Sequence, residues 1–171
     1  MKFSRPKVII AVAGLIAVVA LVLVAMVNQN NARAAKITAA FEGLTLKCVD
    51  TVTFNYYSSN ISGYQTIDSE TFTFGENGTV QKETYHSVAY NDKYKSTNKS
   101  AKDEQRTSTY DYTYQVNVAS NGQVSVTIGG DTYSVSLSSD DVPIQITYRY
   151  QGTSGTLVKI YNKGGGRKYT E

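Results

Sequence analysis

The chain has no tryptophan, one cysteine (Cys48) and one histidine (His86) among its 171 residues. A lone cysteine rules out an internal disulfide. One cysteine with one histidine makes no zinc ligand set. A basic excess is also missing from most of the sequence. Beyond Val27, fourteen Lys and Arg face fourteen Asp and Glu, so the formal charge of +3 belongs to Lys2, Arg5 and Lys7. Nucleic-acid binding needs a basic patch on a folded surface, and a neutral segment argues against it. The length beyond the N-terminal segment leaves room for one ordinary domain.

What is present begins with residues 8–27 (VIIAVAGLIAVVALVLVAMV), which carry no charged or polar side chain. As a helix this run spans about 30 Å, the thickness of a bilayer hydrocarbon core. Three basic residues precede it and only a sparse mixture of charge follows. The positive-inside bias then predicts residues 1–7 in the cytoplasm and everything after Val27 outside. The run is longer than the core of a cleaved signal, which predicts a retained single-pass anchor. The alternative is secretion after cleavage at Ala34, because Ala32-Arg33-Ala34 is a small-x-small triplet. Either reading exports the C-terminal part. Residues 28–43 are polar, then alanine-rich, and read as a helical stalk stopped at Gly43.

From residue 44 the period becomes two. Leu44, Leu46, Cys48, Val52, Phe54 and Tyr56 share one side of residues 44–56, the pattern of a half-buried strand. Phe72 and Phe74 end the next strand, and residues 75–78 (GENG) turn into residues 79–90. Tyr110, Tyr112, Tyr114, Val116 and Val118 alternate with polar residues over 109–118. Further strands follow at 123–128, 132–138, 144–150 and 156–161. Short turns between alternating strands require antiparallel neighbours. The expected fold is all-β, an antiparallel meander of seven or eight strands over residues 44–162, as a barrel or a sandwich. Residues 91–106 have almost no apolar side chain and read as a long exposed loop. Residues 163–171, with Gly164-Gly165-Gly166, read as a flexible tail.

The run Phe72-x-Phe74-x-x-Asn77-Gly78-Thr79-Val80, followed by Tyr112-x-Tyr114-x-Val116 and the strands at 124–128 and 133–137, resembles small bacterial exported lipocalin-like domains. The resemblance covers residues 41–161 and implies a meandering barrel that carries a small apolar ligand. The Gly-x-Trp signature of true lipocalins has no counterpart here. The order of helix, stalk and β-domain is also similar to pilin-like envelope proteins, without their Gly-Phe-x-x-x-x-Glu processing motif.

No catalytic set emerges. Cys48 falls on the apolar side of its strand, as a buried structural thiol does. A Cys48–His86 nucleophile pair would require two strands to present both groups in one cleft. Asp68-Ser69-Glu70 and Asp140-Asp141 lack the glycine and spacing of a calcium loop and read as solvated turns or edges. Ser96-x-x-Lys99 lacks companion motifs, and the glycines at 164–166 open no phosphate loop. Asn60, Asn77 and Asn98 head glycosylation triplets, relevant only in a eukaryotic secretory host. Tyrosine is the unusual feature: all fourteen lie beyond the apolar run. The stripes Tyr110, Tyr112, Tyr114 and Tyr148, Tyr150 offer flat rings with polar tips, suited to glycan or protein contact, or to replacing Phe and Leu in a small core. The expected function is a non-enzymatic binding or scaffold module at the cell envelope. No metal or cofactor is expected, and the partners expected are the membrane and an envelope glycan, a protein or a small apolar ligand.

Overall fold

A computed structural model describes the backbone of residues 5–170 and the side chains of residues 18–170. The chain forms one long helix, α1 (Arg5–Phe41), and then nine strands. These are β1 (Thr45–Phe54), β2 (Tyr64–Phe74), β3 (Thr79–Tyr90), β4 (Glu104–Val118), β5 (Val124–Ile128), β6 (Asp131–Leu137), β7 (Pro143–Gly152), β8 (Gly155–Asn162) and β9 (Gly166–Thr170). Each strand from β1 to β9 pairs antiparallel with the next, and β9 closes the barrel by pairing parallel with β1. The all-β expectation therefore stands as a closed barrel, but a mixed one with nine strands.

The ninth strand corrects the expected tail. Residues 166–170 lie between β8 and β1, with Cys48 opposite Gly166 and Leu157 opposite Thr170. A Cβ on Gly166 would collide with the Ile160 carbonyl. Here glycine permits a close backbone approach rather than freedom. Residues 91–106 also differ from the expected loop. They hold a short helix, α2 (Asp92–Thr97), and the first residues of β4. Asn91 caps α2 by accepting from the Tyr94 N–H, and its amide nitrogen donates to the carbonyls of Asn55, Ser58 and Ile61. One buried amide thus holds the β1–β2 loop against the β3–β4 connection.

Helix α1 runs unbroken through the expected stalk and ends at Phe41, where Gly43 takes a left-handed φ of 75°. Its last turns are inserted into the barrel core. Ile37 and Phe41 are completely buried, and the Phe41 ring lies 4.6 Å from Phe74 and 5.7 Å from Tyr114. Arg33 clamps the helix to two loops at this end of the barrel. It donates to Asp141 through Nε and Nη2, at 3.1 and 2.9 Å, and to the Gly122 carbonyl through Nη1. Of the apolar run 8–27, the side chains of residues 8–17 lie outside the described residues. Among the described residues no helix is long and apolar enough to cross a membrane.

Candidate functional site: a charged cup in the open half of the barrel

Strand register places whole rows of side chains on the inner wall, because residues directly opposite one another share a face. Near α1 the inner rows are apolar and filled, with Leu46, Phe72, Phe74, Val80, Val126, Tyr133, Ile146 and Tyr161 all buried. Farther from the helix the chemistry changes. One row across β1 to β4 reads Cys48, Glu70, Thr84, Ser108, and the next reads Asp50, Asp68, His86, Arg106. All eight line a single cavity of about 420 Å³, joined on the facing wall by Tyr150, Lys159 and Lys168. The cavity lies toward the barrel end opposite α1.

Glu70 is the centre of this cup. Lys159 and the Tyr161 hydroxyl, at 2.7 Å, donate to its two oxygens, and Lys82 sits 3.0 Å away. Burial pushes its carboxyl upward, but these donors and the two ammonium groups outweigh that and bring it down to about 2. Burial and the Glu70 carboxylate together push the Tyr161 phenol up. Two further pairs complete the belt: Lys168 to Asp50 at 3.0 Å and His86 Nδ1 to Asp68 at 2.6 Å. Fixed charges of both signs thus point into one cavity.

Cys48 and His86, considered above as a pair, do line the same cavity. They sit in different rows on strands separated by β2. His86 uses Nδ1 on Asp68. Burial first, and then the Glu70 carboxylate, push the Cys48 thiol up to about 11, so it is a neutral thiol at pH 7. This is the reverse of what a nucleophile requires. Among the described residues no group of three His, Cys, Asp or Glu is placed to hold a metal.

The tyrosine stripes separate. Tyr114 is 6% exposed, and its hydroxyl donates to the Thr38 carbonyl of α1. It belongs to the core rather than to the expected binding surface, because the end of α1 covers it. Tyr110 and Tyr112 remain exposed and stack on each other, while the half-buried Tyr148 and Tyr150 stack 5.4 Å apart. Asp131 accepts a hydrogen bond from the Tyr148 hydroxyl.

The residues that sequence reasoning passed over are the inward charges. Asp68 and Glu70, read as solvated turns or edges, alternate with outward residues on β2 and point into the cup. The signal was present as period-two spacing in Asp50, in Asp68 and Glu70, and in Lys82, Thr84 and His86. It went unrecognised because an inward face is expected to be apolar. No family model, no curated protein and no solved structure matches the chain.

Proposed function

We propose that this protein is a membrane-anchored, non-enzymatic binding module on the extracytoplasmic face of the cell envelope, with the charged cup as its binding site. The observation that carries the reading is the position of the cup. It lies toward the end of the barrel away from α1, where an anchored domain presents itself to a partner. The anchor is supported by α1 itself. Val18, Leu21, Val22, Leu23, Val24 and Val27 are all more than half exposed and lie around the helix. A helix apolar on every side needs lipid or protein around it. Arg33 supports retention over cleavage at Ala34, since cleavage there would remove the side chain that clamps α1 to the barrel.

The cup favours a partner bearing charged groups, because opposite charges held on a fixed wall discriminate by sign and position. A carrier of a purely apolar ligand is the weaker reading, since that ligand would take the Asp50–Lys168 and Asp68–His86 pairs out of water and offer them no polar contact in return. The experiment is a pair of measurements on the full chain. Protease added to producing cells stripped of any outer barrier should digest the barrel, and full protection refutes the topology. Amide chemical shifts of the chain in nanodiscs, titrated with amino acids, dicarboxylates and polyamines, should move at the two charged rows. A panel that perturbs nothing there refutes the cup as the binding site.

A further inference from the structure

The barrel wall has an opening on one side, and its cause is strand length. β4 has fifteen residues, but β5 has five and pairs only with Tyr114 to Val118. Residues 104–113 therefore have β3 on one side and, among the described residues, no strand on the other. Across the opening β6 reaches only Thr147 of β7, so residues 148–152 are paired with β8 alone. At the helix end two strands, β5 and β6, fill this sector. At the cup end no strand among the described residues fills it.

We propose that residues 104–113 of β4 form a strand-addition site that captures an extended peptide segment of a partner protein, closing the wall of the cup. This rests on the binding-module reading above and names its class of partner. An unpaired strand edge presents main-chain donors and acceptors at the strand repeat, and the group that satisfies them is another extended backbone. The edge is long, about 33 Å at 3.3 Å per residue. All ten residues are exposed. Soluble proteins guard such edges with proline, lysine or a bulge. Residues 104–113 (EQRTSTYDYT) contain neither proline nor lysine, and their register with β3 runs from Thr113 to Glu104 without a shift; of the charges they do carry, Glu104 and Arg106 pair with each other and Asp111 accepts from Gln81 of β3.

The two rims are matched. Tyr110 and Tyr112 stand on the inner side of the β4 rim, and Tyr148 and Tyr150 on the inner side of the β7 rim, each pair stacked. The inward side chains of an added strand would lie between these two aromatic pairs. Nearer the rim, Arg106 has Glu104 at 2.9 Å as its ion partner, two residues along the same exposed edge. Such a pair is weak. An acidic side chain on the incoming segment can replace Glu104, so the site fits an extended peptide with apolar or aromatic residues at alternate positions and an acidic one opposite Arg106.

The test uses the full chain in nanodiscs and a displayed library of random twelve-residue peptides. Enriched peptides are expected to slow hydrogen exchange at alternate amides within residues 104–113. N-methylation of a bound peptide at one alternating set of positions should weaken binding about tenfold or more, and at the other set hardly at all, because only one set donates to the edge. Ser108→Pro and Thr109→Pro serve as a pair. One of them removes an amide directed at β3 and the other an amide directed at the edge, and the variant that keeps the wild-type melting curve should lose the peptide. Peptides that bind but protect only the cup rows, or that tolerate every N-methylation, overturn strand addition and leave the binding-module reading standing. Failure to enrich any peptide also overturns it. The cup titration decides the module reading independently.

Discussion

Replacing Glu70 with glutamine removes the charge that the cup is built around and keeps its shape. The Glu70 carboxyl is lowered from 4.5 to about 2 in the folded chain. At 1.36 kcal/mol per unit, this corresponds to about 3 kcal/mol of folded-state preference for the carboxylate. The side chain is 22% exposed and its lysines can turn toward water in an open cup, so the loss in Glu70→Gln is expected between about 1.5 and 3 kcal/mol at pH 7. The pH dependence gives the sharper test. A carboxyl with a depressed folded pKa stabilises fully above its unfolded value, and that stability is lost as pH falls through the folded value. The gap between wild type and Glu70→Gln should hold constant from pH 7 to about 5, narrow between about 4.5 and 2, and approach zero below that. Urea unfolding of both chains in one detergent, followed across this range, measures the gap while the other carboxylates cancel. A difference that stays the same from pH 7 to pH 2, or one below about 0.5 kcal/mol at pH 7, refutes the assignment. Lys159→Met should shift the acid limb of the wild-type curve upward, since it removes the strongest donor to Glu70.

Other sites give independent tests. Asn91→Ala removes five hydrogen bonds around a buried amide, to Gly63, Tyr94, Asn55, Ser58 and Ile61, and should cost about 3 kcal/mol with faster proteolysis in residues 55–63. Asn91→Asp should keep the α2 cap yet release that loop, because a carboxylate cannot donate to three carbonyls. Phe41→Ala empties a fully buried site between Phe74 and Tyr114, so a loss of about 3–5 kcal/mol in chemical unfolding is expected, together with rapid amide exchange over residues 34–41. Cys48, with its thiol raised to about 11, should resist iodoacetamide at pH 8 and become modified on unfolding, as followed by intact mass. Modification of the folded chain at the rate of a free thiol would refute that environment.

Where a strand has one apolar face, its position was legible in the sequence. The alternation in residues 44–56 gave β1, and the turn at residues 75–78 fell where Asn77 and Gly78 adopt positive φ. The alternation disappears where both faces of a strand meet water. The first ten residues of β4 are exposed throughout, so period-two reasoning began the strand at residue 109 instead of 104. β9 was missed for a different reason. Its parallel pairing with β1 is a long-range contact, and the glycine that permits it looks the same in sequence as a glycine that loosens a tail. The cup was hidden by the assumption that inward means apolar. Tyrosine is abundant, yet Tyr114 serves the core, and the charges gathered around Glu70 come from β2, β3 and the distant β8.

The opening in the wall and the charges of the cup are physically coupled. Ion pairs sealed inside a barrel carry a desolvation cost that their attraction seldom recovers. Here the pairs of Asp50, Asp68 and Glu70 lie at the level where the β5–β6 hairpin has already ended, so solvent entering between β4 and β7 can hydrate them. A longer β5–β6 hairpin would complete the wall and bury those charges, and the fold would then need apolar residues in the two rows that now hold them. The short hairpin and the charged rows are thus consistent only with each other. Partial closure by an added strand would have the same electrostatic effect. It would lower the local dielectric and strengthen the one charge contact the added segment brings, its acidic side chain to Arg106, while apolar side chains between the tyrosine pairs leave the ion pairs of the belt in place.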